Sequence, residues 1–303
     1  MAINDITRAD VASMIAEEYS ADIIKASITG SLALAAFPHT SMGTKTTHMP
    51  VVATMPEATW VSESAEDDEG TKPTSKGTWT NAMLVAEEVA VIIPVHENVL
   101  EDATADMLTE ISAMGGAALG KKLDQAVLFG TNKPASWTSP ALLPAAVAAG
   151  QTYQPVTGKD DLYGAIIQAA RDANGDVYNA SVVLASSALR LDLLNLRGSD
   201  GHLVLTDDAL RGFDATHFSR NGAWDKAQAL ALICDPNFIR IGIRQDVTVK
   251  FLDQATVGGI NLAEKDMVAL RFKARYAYVL GMPNGTPVGA VVPPVVPPAE
   301  EPS

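Results

Sequence analysis

Two strand-period runs, separated by a long acidic connection, constrain this chain more than any other feature. Met49–Val61 reads as the first run and Thr78–Val95 as the second. In the second, Met83, Val85, Val89, Val91 and Ile93 fall on alternate positions, the period of a strand. Hairpin loops usually hold roughly 2–5 residues, and the connection Ser62–Gly77 is about three times that. It carries Glu63, Glu66, Asp67, Asp68 and Glu69, then Lys72 before Pro73 and Lys76 before Gly77. An acidic tip with Gly and Pro builds no core of its own. A long two-stranded arm is marginal alone in water. The pattern therefore predicts an arm completed by a surface on another chain. Trp60 and Trp79 flank the tip. They predict a cross-strand pair, anchors on a neighbour, where aromatics dominate the binding energy, or both.

On either side of this arm the pattern is mixed α+β. Residues 1–50 read as an extended arm. A helix is predicted around Arg8–Tyr19, with Asp10 as its N-cap, then a small apolar run, Ser27–Ala36, and a polar stretch after Pro38. Residues 97–130 predict one long helix. Leu108, Ile111, Gly115, Leu119, Leu123 and Ala126 recur at spacings of three and four, and Leu100, Met107, Met114 and Ala118 widen that face. Acids near its start and Lys121 and Lys122 near its end suit the helix dipole, and Gly130 stops it. Residues 131–156 read as a Pro- and Ala-rich loop. Asp160–Ala173 reads as a short amphipathic helix with Leu162, Ile166, Ile167 and Ala170 on one side. Ser181–Ala185 is a buried strand, and Ser186 caps a helix through Leu194. A turn-rich link, Leu196–His202, leads into Leu203–Leu205, and short strands and helices continue to Gly258-Gly259. Val268, Leu270, Phe272, Ala274, Tyr276, Tyr278 and Leu280 then form the apolar face of a closing strand. Arg271, Lys273 and Arg275 sit on its other face. The Pro/Val stretch Val291–Ser303 reads as a polyproline-like or unstructured tail.

Composition narrows the function. A formal charge of −14 repels nucleic acid and anionic membranes over any broad surface. One cysteine, Cys234, excludes a disulfide framework within the chain and fits a reducing compartment. Met1–Ser20 lacks the pattern of a secretory signal, and no apolar run approaches the ~20 residues of a membrane span. A soluble chain made in the cytosol is expected. No catalytic constellation stands out. His39, His48, His96, His202 and His217 form no metal-ligand spacing. No phosphate-binding glycine loop and no G-x-S-x-G is present. Cys234 reads as a buried structural thiol, and Glu66–Glu69 as a solvated tip without the ligand alternation of a calcium loop. Gly116-x-x-x-Gly120 reads as a close-packing patch on the helix. No enzyme activity, cofactor or metal is expected.

Several segments, in order, resemble the major capsid proteins of tailed bacteriophages, the Hong Kong 97-type fold shared with encapsulin shells. Thr59-Trp60-Val61-Ser62-Glu63 through Lys72-Pro73-Thr74-Ser75-Lys76-Gly77 resembles the family's extended loop. Pro94-Val95-His96-Glu97-Asn98-Val99-Leu100-Glu101-Asp102 resembles the start of its spine helix, and Leu123-Asp124-Gln125-Ala126-Val127-Leu128-Phe129-Gly130-Thr131 that helix's end. Leu196-Arg197-Gly198-Ser199-Asp200-Gly201 resembles a turn of the axial domain, and Lys265-Asp266-Met267-Val268-Ala269-Leu270-Arg271 the final strand of the peripheral domain. The resemblance covers roughly residues 40–282.

It implies an N-terminal arm (1–48), an extended loop (49–95), a peripheral domain (96–135 and 260–282), an axial domain (136–259) and a C-terminal tail (283–303). It further implies hexamers and pentamers closing into an icosahedral shell around double-stranded DNA without sequence-specific binding. The shell would assemble in the host bacterial cytoplasm and reside in the virion. Separate scaffolding, portal and decoration proteins are the expected partners. Some members weld subunits through a loop lysine and a strand asparagine, helped by a glutamate. Lys72 matches the lysine, but Asp266 stands at the asparagine and Lys273 at the glutamate, so no weld by that route is expected. The expected inter-subunit residues are Trp60, Glu63, Glu66, Asp67, Asp68, Glu69, Lys72, Lys76, Trp79, Arg271, Lys273 and Arg275, with the acidic tip meeting the basic strand of a neighbour. A rival placing turns that basic face toward DNA. The alternatives are an encapsulin-like compartment with protein cargo, and an α/β enzyme whose pocket the sequence does not advertise.

Overall fold

The computed structural model describes residues 30–54, 58, 60, 74–76, 78–102, 107–155, 162–175, 178–195, 210, 212–282 and 285–294. The predicted helix at Arg8–Tyr19, the link Leu196–His202, the strand Leu203–Leu205 and most of the acidic tip lie outside these residues. The described chain begins with α1 (Leu32–Ala36), β1 (His39–Ser41), β2 (Thr46–Thr54), β3 (Thr78–Val85) and β4 (Glu87–His96). Helices α2 (Glu97–Asp102) and α3 (Met107–Asp124) follow, then one π-helical turn, Gln125–Phe129. Next come α4 (Leu142–Ala148), β5 (Thr152–Tyr153), α5 (Leu162–Asn174), β6 (Val182–Ser186), α6 (Ser187–Leu194), β7 (Ala215–Ser219) and β8 (Ala231–Cys234). The chain ends with β9 (Ile239–Leu252), the short pair β10 (Thr256–Val257) and β11 (Ile260–Asn261), β12 (Met267–Leu280) and β13 (Val288–Val291).

The predicted hairpin forms: β2 pairs antiparallel with β3, bringing Thr46 to Val85 and Val52 to Trp79. The second run is not one strand. It breaks at Ala86, and β4 leaves the hairpin to pair with β12 in a different sheet of order β1-β9-β12-β4. Pro94 is tolerated in β4 because this is an edge strand. The other main sheet has the order β5-β13-β8-β6-β7. One core runs beneath both sheets, joining Ile111 and Leu123 of the helix, Phe272 and Tyr278 of β12, and Leu184 and Leu232 of β6 and β8. A second cluster packs α5 and α6, through Ile166 and Leu189, against Val183 and Ile233.

Several expectations require correction. Residues 31–42 are not free-standing as an arm: Leu32, Ala33, Phe37 and Met42 are buried, and β1 lies parallel to β9. The long helix ends as predicted at Gly130, in the left-handed region at φ 74°, but by way of the π-helical turn. Met114 and Ala118 are exposed and do not widen its buried face, and Ile167 of α5 is also exposed. The loop predicted at 131–156 contains α4. Pro144 fits there because the first turn leaves backbone N–H groups unpaired in any case. Strand β9, placed by sequence within 136–259, pairs with β12 along most of its length. The tail is shorter than expected, since β13 is fully buried between β5 and β8.

The glycine pattern also resolves differently. Gly116 has open space around it, while a Cβ on Gly115 would lie 2.6 Å from the ring of Phe272 and one on Gly120 would lie 3.1 Å from the Ser31 backbone. Close packing of this helix therefore depends on Gly115 and Gly120. Substituting Gly115→Ala should cost about 1–3 kcal/mol through overpacking. Gly116→Ala should be neutral or stabilising by up to ~1 kcal/mol from helix propensity. Thermal denaturation of the two variants side by side checks both signs.

Candidate inter-subunit surface

The exposed features that sequence singled out are held on a frame set by a buried carboxylate. Asp124, at the end of α3, is fully buried. Its Oδ1 accepts from the Ser31 hydroxyl and the Ala33 N–H at 2.5 and 2.9 Å. Its Oδ2 accepts from the Leu32 N–H at 2.8 Å and from the Asn221 side-chain amide at 2.5 Å. The carboxylate thus caps the first turn of α1 from outside, replacing solvent for N–H groups a short helix leaves unpaired, while Ser31 caps it from within. Burial pushes the Asp124 carboxyl above the ordinary aspartate range. The four donors pull it down without cancelling that shift.

A second tie fastens the hairpin. Trp137, buried in the 131–141 loop, donates its indole N–H to the carbonyl of Val85 at 3.0 Å and packs against Tyr278. The Lys133 ammonium holds that loop by donating to the carbonyls of Trp137 and Ser139 at 2.7 and 2.6 Å. The base of the arm is therefore firmly mounted, with Leu84 packed beside Ala277 and Val279 of β12.

Of the twelve residues expected at the interface, Glu63, Glu66, Asp67, Asp68, Glu69 and Lys72 lie outside the described residues. Lys76 is exposed. Trp60 is wholly exposed, at 104% of its reference surface. The backbone of Trp79 is paired with Val52, not with Trp60. A wholly exposed Trp60 forms no cross-strand pair, so that reading is set aside.

Arg271, Lys273 and Arg275 do share one face of β12, as the alternation predicts. They are not all vacant. Glu88 of β4, in register with Arg275, meets Lys273 at 2.6 Å and Arg275 at 3.0 Å. Its carboxyl is held below the usual range, first by Lys273 and then by Arg275. Lys250 of β9 stands in register with Arg271, beside Ile92 of β4. The Arg271 Nε is buried without a hydrogen-bond partner. Positive charge therefore remains in surplus at the Arg271 end of this face. The residues that sequence reasoning missed are Glu88, Asp124, Trp137 and Asn221. Asp124 left no local sign, since the partners of its carboxylate lie more than 90 positions away.

Cys234 is fully buried, and burial pushes its thiol far up, out of the reactive range. Among the described residues no cluster of His, Cys, Asp or Glu could hold a metal, and no helix is long and apolar enough to cross a membrane. The described surfaces include a fastened β-hairpin and a charged strand face. Residues 12–288 match the family model of the phage capsid family. The chain belongs to the phage capsid family.

Solved structures agree over nearly its whole length. A chain from Mycobacterium phage Bobi is 56% identical, with a TM-score of 0.84, and the match covers 97% of this capsid chain and 100% of that one. A chain from Microbacterium phage Oxtober96 is 41% identical at a TM-score of 0.80, covering 96% and 100%. The capsid of an empty GTA particle, at 16% identity, a TM-score of 0.63 and coverage of 96% and 99%, shares the fold. No curated protein matches. The chain is a major capsid protein, a structural and non-enzymatic component of the virion.

In this capsid chain, Asp124→Ala should strand the Ser31, Leu32, Ala33 and Asn221 donors and cost about 2–4 kcal/mol of stability. The sign of its pH dependence follows from the raised value. The stabilisation from Asp124 is full below the ordinary value of 3.8 and declines as pH climbs through the raised one. Urea titrations across that range should show the gap between wild type and Asp124→Ala narrowing as pH rises.

Proposed function

We propose that copies of this chain associate as hexamers and pentamers into a closed icosahedral shell around double-stranded DNA, assembled in the cytoplasm of a bacterial host. In the Hong Kong 97-type reading, β2 and β3 carry the extended loop. The α3 helix is the spine of a peripheral domain with β4, β9 and β12, and the sheet around β6 and β8 belongs to the axial domain. The observation that carries the reading is the β2–β3 hairpin, fastened at Val85 and packed through Leu84 on Ala277 and Val279, in a chain of the phage capsid family.

The charge pattern supports a role for the arm in that shell. Five acids lie in 63–69, and surplus positive charge lies at Arg271 and Lys250. An acidic tip from one subunit resting on the basic strand of the next would use both. Glu88 already engages Lys273 and Arg275, which shifts the weight of such a contact toward Arg271. Exposed ion pairs are worth only ~0–1 kcal/mol each, but repetition over a shell makes assembly salt-sensitive. A welded shell is not part of this reading. Asp266 lacks the side-chain amide that a lysine would displace, and Lys273 is a cation where a carboxylate would be needed.

Electron microscopy of the expressed chain tests the assembly, with shells or capsomers as the expected product and a lone monomer or dimer as the contrary result. Reversing Glu66, Asp67, Asp68 and Glu69 to Lys should reduce particle yield at least several-fold. Adding Arg271→Glu should recover part of it, and absence of recovery would show that the two surfaces do not meet. A denaturing gel of particles should give a single monomer band; a crosslinked ladder would overturn the unwelded reading.

A further inference from the structure

Trp60 presents an exposed indole, and the structure holds a cavity of a size to receive one. A cavity of about 160 Å3 opens between the start of β4, the end of α3 and the 131–141 loop. Val89, Leu123, Ala126, Pro134, Trp137 and Tyr276 form its walls. Lys122, Glu87, Glu88 and Asn132 also line it, and the side-chain oxygens of the last three are the acceptors an indole N–H would find there. An apolar cavity of about 150 Å3 suffices to take up benzene, so this one has room for an aromatic ring.

The chain's own Trp60 does not supply that ring. The cavity lies beside Glu87–Val89, just past the end of β3 at Val85. Trp60 follows β2, whose last residue, Thr54, pairs with Thr78 at the opposite end of the hairpin. The eight residues Thr78–Val85 cover about 25 Å at roughly 3.3 Å per residue. Six residues fully extended from Thr54 reach about 20 Å. The backbone alone thus falls about 5 Å short of its own cavity, and Trp60 stands wholly exposed rather than seated there.

We propose that Trp60 of one subunit inserts into the Val89–Trp137–Tyr276 cavity of a second copy, locking each arm to its neighbour. This rests on the shell reading above, which places many copies in contact. Large aromatics seated in preformed pockets dominate interface energetics. The walls are fixed in advance by the Trp137–Val85 hydrogen bond and by Tyr278 against Trp137, so little ordering is needed on binding.

Mixed particles test the contact between chains directly. One population would carry Trp60→Cys and the other Lys122→Cys, co-assembled and treated with a short bis-maleimide; the native Cys234 is buried and does not compete. Cross-chain dimers should form at least ten-fold more readily than in control particles that replace Lys122→Cys with Leu191→Cys, an exposed site on α6 that does not line the cavity. Equal or absent linking in intact shells would overturn the proposal while leaving the shell reading in place. Failure of the unaltered chain to form any assembly would instead defeat the shell reading. If the cysteine variants do not assemble, acrylamide quenching decides, with Trp60→Phe particles defining the Trp60 contribution. That contribution should be quenched several-fold less in shells than in dissociated chain, and equal quenching would reject the insertion.

Discussion

The carboxylate of Asp124 holds together three parts of the chain that sequence keeps far apart. It receives α1 from the N-terminal side, terminates α3, and takes the Asn221 amide from the loop after β7. Each oxygen accepts two donors, and only a carboxylate offers that acceptor capacity in so small a volume. Burying it is costly in itself, and the four hydrogen bonds offset much of that cost without removing it. The result is a rigid junction next to Gly120, where the helix passes close to the Ser31 backbone.

That junction shapes the exposed surfaces. The α1 segment leads into β1 on the edge of the sheet, and from β1 the chain passes directly into the arm. Trp137 secures the return strand of the arm at Val85. Between these ties the chain crosses from the β2–β3 hairpin into β4, so the arm springs from the same sheet edge that carries Glu88. The basic strand β12 lies immediately inside that edge. The base of the arm and the positive face therefore share one mount.

Local periodicity made much of this legible. The alternation in Thr78–Val95 and in 266–280 marked β3, β4 and β12, and the three-and-four spacing marked α3, because each signature is written within a few residues. What escaped were contacts between distant residues. Asp124 and Asn221 are 97 positions apart, and nothing near either names the other. Glu88 and Arg275 are 187 apart. The strand β13 escaped for another reason: a Pro- and Val-rich neighbourhood has the composition of a tail, and only the buried edges of β5 and β8 draw Val288–Val291 into the sheet. Tertiary pairing there overrides a local bias. Of the candidate surface, the basic face was visible from alternation alone, while its partial neutralisation by Glu88 required the register of two strands.

The same register sets how the surface can work. In a chain of net charge −14, copies repel one another at long range. Association must therefore come from local, well-seated contacts that outweigh the repulsion. A face fully neutralised within its own subunit would give a neighbour nothing to hold. A face of unpaired cations would attract any anion, nucleic acid included. Glu88 takes an intermediate course. It offsets part of the charge at the Lys273–Arg275 end, adjacent to the arm's own base, and leaves Arg271 and Lys250 at the far end for another molecule. Charge then favours a partner that arrives from outside the subunit, while packing against apolar walls, which salt does not screen, supplies the holding strength. Raising ionic strength screens the long-range repulsion as well as the local ion pairs, and leaves the apolar contacts in place.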